Sequence, residues 1–127
     1  MREIKFRAWD SETRRMRSHT DPQTIQAVVF SNDYNGRVIV MQYTGLKDKN
    51  NKEIYEGDLI MFDCETYPEV APVGTYRIEY ATTSFIGVNI EDDSIELHFG
   101  YWLKKEGKRY LEVIGNIYEN PELLGGD

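Results

Sequence analysis

Apolar residues in this chain come in short stretches broken by turn-forming residues, and the longest apolar runs are four or five residues. Runs of that length are far too short to span a bilayer as a helix. The opening stretch from Ile4 to Asp10 alternates apolar and polar side chains, which predicts a half-buried strand with Ile4, Phe6 and Ala8 facing inward. Short strands at close spacing predict a mainly β fold, either a sandwich or a small barrel.

Turn signals divide the rest of the chain into further strands. Asn35-Gly36 tolerates the positive φ angles of a tight hairpin, and Gly115 within the last strand indicates a bulge or bend. The segment from Asn120 to Leu124 predicts a single capped helical turn. The predicted strands lie around Met16 and over residues 37–43, 59–62, 75–80, 84–90, 95–103 and 109–118.

Residues 21–30 are compatible with two kinds of secondary structure. Asp21 and Pro22 suit the N-cap and the first position of a helix. The segment Ile25 to Phe30 is short and rich in β-branched residues, which favours a strand. We expect a strand here.

Length and cysteine content set simple bounds. The chain has 127 residues, enough for one domain or for two small subdomains that share a core. Cys64 is the single cysteine, so the sequence excludes an intramolecular disulfide and a cysteine-rich zinc site. The first ten residues contain no apolar core of a secretory signal, and we expect a cytoplasmic protein without a membrane segment.

The formal net charge of −7 is unevenly distributed. Residues 1–20 carry a net charge of +3, whereas residues 21–127 carry −10. An acidic body repels phosphate, which disfavours non-specific nucleic-acid binding by the whole surface. The basic start, with Arg14, Arg15 and Arg17, can contact phosphate or an acidic partner, or it can pair with acidic residues of its own chain or of a neighbour.

The polar run at residues 47–53 has two interpretations, a cation-binding loop or a turn. A calcium loop needs acidic oxygens at alternate positions and a later glutamate. Asp48, Asn50 and Asn51 do not fit that pattern, and the lysines among them would repel a cation. Asparagine tolerates left-handed backbone geometry. The run therefore predicts a turn.

Other residue types that support chemistry have no partners at the required spacing. Cys64 and the two histidines lie in no catalytic or metal-ligand motif, and the glycines form no phosphate-binding loop. The acidic segment from Glu91 to Asp93, with Glu96, could hold a divalent cation or serve a hydrolase, but such runs are commonly solvated turns. We therefore predict no catalytic, cofactor or metal site.

Phe99, Tyr101 and Trp102 form the densest aromatic cluster of the sequence. Side chains alternate along a strand, so Tyr101 and Trp102 cannot both face one core. The outward-facing ring is covered by the N-terminal segment, buried in a subunit interface, or exposed to bind a peptide or a base.

Three segments together resemble the YopX family of bacteriophage and prophage proteins: "MREIKFRAWD", "MQYTGLKDKNNKEIYEGDLI" and "EVIGNIYENPELL". The family has Asn-Gly where this chain has Asn50-Asn51, a change that a turn tolerates. The resemblance implies an accessory protein with no established activity. It also implies an N-terminal β segment over residues 1–41 and a small SH3-like barrel over residues 42–127, with one continuous domain as the alternative.

Together these observations predict a non-enzymatic binding or assembly module that acts as a homo-oligomer and has a host or phage protein as a further partner. One alternative is an acidic inhibitor that mimics nucleic acid to block a host protein. Another is a nucleic-acid-binding barrel that uses the basic start. The candidate binding residues are Asp48, Lys49, Asn50, Phe99, Tyr101, Trp102, Arg14, Arg15 and Arg17.

Overall fold

The computed structural model describes residues 3–30, 37–65, 70–81, 84–100 and 107–124. One α-helix, α1, spans Pro22–Phe30, and 3-10 turns span Gly107–Tyr110 and Pro121–Leu124. The strands are β1 Phe6–Asp10, β2 Arg15–Arg17, β3 Val38–Lys47, β4 Glu53–Tyr55, β5 Asp58–Phe62, β6 Gly74–Tyr80, β7 Phe85–Asn89, β8 Glu96–His98 and β9 Leu111–Asn116.

The strands form two antiparallel sheets. One has the order β2-β1-β3-β4, and the other, which is curled into a half-barrel, has the order β8-β7-β6-β5-β9. The predicted mainly β fold is confirmed. Strand β3 runs through position 41, where the sequence suggested a division, pairing with β1 at one end and with β4 at the other. The division into two subdomains stays a prediction.

The strand predicted for Ile25 to Phe30 is wrong, because this segment is part of α1. The Asp21 side chain accepts a hydrogen bond of 2.8 Å from the Gln23 N–H, as an N-cap residue does, and Pro22 occupies the first helical position. Thr24 and Ala27, three residues apart, are buried on the sheet side of the helix. Capping and this helical spacing outweigh the β propensity of the segment.

The two faces of β1 pack against different parts of the molecule. Ala8 packs with Ala27 of α1 and Val38 of β3, whereas the Trp9 ring stacks on Tyr118, beyond β9, at a centroid distance of 5.7 Å. Ile4 precedes the strand and is 72% exposed, so its predicted inward position is wrong. No helix in the described residues is long and apolar enough to cross a membrane.

The core of the half-barrel lies on the inner face of β5, β6 and β9. Phe62 and Tyr76 meet edge to face, with a centroid distance of 6.3 Å. Gly115 lies opposite the register shift between Leu59 and Ile60, which confirms the predicted bulge. The buried residues of this core are Ile54, Ile60, Phe62, Cys64, Ala71, Tyr76, Ile78, Leu97 and Leu111.

The polar run between β3 and β4 is a turn, as predicted. Asp48 Oδ1 accepts the N–H groups of Asn50 and Lys52, both at 2.9 Å, and Asn51 has a φ of 68°. The same loop reaches β9, because Asp48 Oδ2 accepts the Val113 N–H at 2.8 Å. A backbone bond of 2.9 Å from Lys49 to the Leu111 oxygen lies beside it. The turn therefore provides hydrogen-bond partners for backbone groups at the outer edge of β9.

Candidate binding surfaces

The three predicted arginines lie on the β1–β2 hairpin, but their environments differ. Arg17 is engaged by Asp10 at 3.2 Å and by Asp21 at 3.3 Å. Arg14 and Arg15 are exposed, and no acidic group of the described residues lies within 4.0 Å of either. Arg14 has a φ of 57°, in the left-handed region. Two of the three guanidinium groups are thus free for a partner.

The other predicted residues lie on separate elements. Asp48 is buried in its turn, Asn50 is exposed, and Lys49 pairs with Glu112 at 3.3 Å. Phe99 packs against the half-barrel core. Tyr101 and Trp102 lie outside the described residues. The structure joins the predicted residues into no single site, and their role in binding stays a prediction.

The acidic segment after β7 forms an exposed turn that is held by local hydrogen bonds. Asn89 Oδ1 accepts the N–H groups of Glu91 and Asp92, and the Asp92 carboxylate accepts from the Ser94 N–H and hydroxyl. All three acidic residues from Glu91 to Asp93 are exposed. Among the residues that the structure describes, no group of three His, Cys, Asp or Glu side chains is placed to hold a metal ion.

Asp10, by contrast, is a buried carboxylate held by cations. Arg37 contacts both of its oxygens, at 3.1 and 3.2 Å, and Arg17 contacts one of them at 3.2 Å. The N–H groups of Glu12 and Thr13 add further hydrogen bonds. The Arg37 guanidinium holds the pKa of Asp10 well below its ordinary value of 3.8. The Asp10 carboxylate thereby links the end of β1 to the turn and to Arg17 of β2.

The Asp10 cluster predicts a loss of stability in acid. Because its pKa is lower in the folded than in the unfolded chain, the unfolded chain binds more protons, and stability falls as the pH drops below about 4. We expect Asp10→Asn to lower the free energy of unfolding at pH 7 and to flatten its decline between about pH 4 and pH 2. Urea unfolding at several pH values measures both effects.

The matched control for this prediction is Glu12→Gln. The Glu12 carboxylate lies 3.5 Å from Arg37, which also contacts Asp10, but the Glu12 side chain is 70% exposed. We expect this variant to keep the acid slope of the wild type. An equal slope in Asp10→Asn and wild type would contradict the prediction.

A first groove, the α1 groove, lies between α1 and the segment that leads into β1. Its volume is about 230 Å³. Ile4, Ile25 and Val29 are 72%, 50% and 65% exposed, so the groove presents apolar side chains to solvent. The lining residues are Glu3, Ile4, Lys5, Phe6, His19, Thr24, Ile25, Val28 and Val29.

A second groove, the inter-sheet cleft, lies where the four-stranded sheet meets the half-barrel. Its volume is about 330 Å³. Glu56, Arg77 and Glu79 supply charged groups, and Tyr80 is 51% exposed. Burial, and then the negative charge of Glu56, raise the pKa of Tyr118. The remaining lining residues are Ile39, Val40, Met41, Gly57, Ile78 and Ile117.

Sequence reasoning missed both grooves for different reasons. Ile25 and Val29 are four residues apart and share a helix face, a signal that was lost when the segment was assigned to a strand. The inter-sheet cleft combines β3, the Glu56-Gly57 turn, β6 and residues 117–118. No local pattern brings these distant segments together.

Comparisons with known proteins agree with the resemblance found in the sequence. A family model described as YopX protein matches residues 5–125. The crystal structure of protein EF1440 from Enterococcus faecalis is similar over 98% of this chain and 99% of that chain, with 28% sequence identity and a TM-score of 0.66. Protein yopX from Bacillus subtilis is similar over 100% and 99%, with 18% identity and a TM-score of 0.58, which shows a shared fold. The comparison with curated proteins gave no match.

Proposed function

The chain belongs to the YopX family, and we propose that it is a non-enzymatic phage or prophage accessory protein that works by binding and acts as a homo-oligomer. The observation that carries the proposal is the α1 groove. Three large apolar side chains, Ile4, Ile25 and Val29, are at least half exposed there. Exposed apolar side chains that form one patch mark interaction sites, whereas single scattered ones do not.

A second copy of the chain is the partner that the charges favour. The chain carries −7 overall, so two copies repel each other across most of their surfaces. The nine residues of α1 include no charged side chain, and in the adjoining segment Lys5 lies 3.4 Å from Glu3. Two copies can bring these faces together without placing like charges in contact. A stable interface buries about 800 Å² per partner, so the contact extends beyond the three exposed side chains.

The other functions that the sequence suggested would use features that lie outside the α1 groove. Nucleic-acid binding through the basic start would depend on Arg14 and Arg15, because Asp10 and Asp21 engage Arg17. An acidic mimic of nucleic acid would rely on the exposed carboxylates of the turn after β7. A role without catalysis is also consistent with the burial of Cys64.

Placing a charge in the α1 groove tests the proposal. We expect the wild type to self-associate reversibly at protein concentrations of roughly 10 µM to 1 mM, and Val29→Glu to be monomeric throughout. The added carboxylate would be desolvated in the interface, with no cation to compensate it. Sedimentation equilibrium measures the mass of both proteins.

Val73→Glu is the matched control, because Val73 is 45% exposed, immediately precedes β6 and does not line the α1 groove. It introduces the same side chain and charge, and we expect it to associate like the wild type. A monomeric wild type up to about 1 mM, or equal association of wild type and Val29→Glu, would overturn the proposal.

A further inference from the structure

We propose that the inter-sheet cleft binds the lysine or arginine side chain of an extended basic segment in a partner protein. This surface lies apart from the α1 groove, with which it shares no lining residue. The proposal therefore goes beyond self-association and does not depend on it. Three features of the cleft carry it: aliphatic side chains, a carboxylate without a cation among the described residues, and two tyrosines.

The floor of the cleft suits the stem of a long cationic side chain. Ile39 of β3 and Ile117, which follows β9, are partly buried and line the cleft with aliphatic groups. Lysine and arginine bury their methylene stems on apolar surface while the charged end stays near polar groups. A volume of about 330 Å³ lies at the small end of ligand sites, which suits one side chain with its flanking backbone.

The charged groups of the cleft are out of balance. Arg77 is bonded to Glu79, so these two charges compensate each other. Glu56 Oε1 accepts the Gln42 N–H at 3.2 Å, but within the described parts of the chain no Lys, Arg or His nitrogen lies within 4.0 Å of its carboxylate. A carboxylate that faces a cleft without a cation is able to bind an ammonium or guanidinium group from outside.

The aromatic residues favour the same kind of ligand. Tyr118 lies beside Glu56, and its ring is held by the stack with Trp9. Tyr80 stands half exposed at the cleft and packs edge to face on Phe85, at a centroid distance of 4.9 Å. The faces of such rings attract cations. The net charge of −7 steers basic segments towards the protein and repels phosphate groups.

A peptide titration tests this site directly. The probes are acetylated, amidated pentapeptides with two glycines on each side of arginine, lysine, norleucine or glutamate. The protein is the ¹⁵N-labelled Val29→Glu variant, so that self-association does not contribute. We expect the arginine and lysine peptides to shift the amide signals of Gly57 and Ile117, and to bind about ten times more tightly than the norleucine peptide.

Glu56→Gln removes the charge but keeps an oxygen that can accept the Gln42 N–H. We expect it to weaken binding of the arginine peptide about fivefold or more. Glu122→Gln is the control, because it makes the same charge change at an exposed residue of the last 3-10 turn. This variant should bind like its parent.

Each contrary result overturns a defined part of the proposal. Equal binding of the norleucine and arginine peptides, or of Glu56→Gln and its parent, would remove the cation site. Spermidine that binds Glu56 as tightly as the arginine peptide would assign the cleft to free amines instead of a protein segment. Peptide-induced shifts confined to other regions would place the binding surface elsewhere.

Discussion

Asp58→Ala is expected to lower the free energy of unfolding by about 3–5 kcal/mol. Asp58 is buried, and its carboxylate accepts hydrogen bonds of 2.8 Å from Arg7 and from the Tyr55 N–H. Without it, the Arg7 guanidinium is left largely buried, with the Glu56 carbonyl oxygen at 3.4 Å and the face of Tyr55 at 4.7 Å as its remaining contacts. An uncompensated buried charge makes such truncations costly. Urea unfolding at pH 7 measures the change.

Two further variants separate the ion pair from the loss of packing. In an Arg7→Met background the buried Asp58 carboxylate already lacks its cation, so Asp58→Ala removes a destabilising charge together with the hydrogen bond to Tyr55 and should cost less than about 1–2 kcal/mol. Asp63→Ala removes an exposed aspartate just beyond the same strand, and it should change stability by less than about 0.5 kcal/mol. A cost of Asp58→Ala that is unchanged by Arg7→Met would contradict the role of the pair.

The pair explains how the two sheets are held in register. Arg7 belongs to β1 and Asp58 to β5, so the bond joins the four-stranded sheet to the half-barrel across 51 positions of sequence. Trp9 and Tyr118 make a second link on the same face of β1. The inter-sheet cleft lies where these two sheets meet, whereas the α1 groove lies beside the segment that leads into β1.

The parts of the fold that sequence predicted are those with a local signal. The alternation of apolar and polar side chains predicts β1. The turn before β4 is predicted by its own asparagine residues, which tolerate left-handed backbone geometry. Helix α1 also has a local signal in Asp21 and Pro22, but the β-branched run after them points to a strand, and the contacts of Ala27 with Ala8 and Val38 decide the outcome. Capping, helical spacing and this tertiary packing together outweighed the β propensity of the segment.

The sites were less predictable than the strands, because they depend on distant residues. Asp48 was a candidate for binding on the grounds of its polar neighbourhood, yet its carboxylate is saturated by backbone N–H groups, one of them 65 positions away. Glu56 was not a candidate, since only the assembled cleft shows that no cationic group of the described residues lies within 4.0 Å of its carboxylate. Sequence reveals which residues are polar, whereas the fold determines which of them are already satisfied.

Asp48→Ala should show most directly that this polar side chain is used within the fold and is not available for a partner. We expect it to lower the free energy of unfolding by about 2–4 kcal/mol, because three backbone N–H groups lose their acceptor and the Val113 N–H lies on a strand edge that the turn covers. Hydrogen exchange gives a local readout: the Val113 amide should lose protection beyond the global change in stability.

The neighbouring Asn50→Ala is the matched control, since Asn50 is exposed and contributes to the turn through its backbone N–H. We expect this variant to stay within about 0.5 kcal/mol of the wild type. Asp48→Asn should fall between the two, because its single amide oxygen can serve either the turn or Val113 but not both. If Asp48→Ala instead kept wild-type stability and Val113 protection, the carboxylate would not be what closes the edge of β9, and Asp48 would return to the surface residues available for a partner.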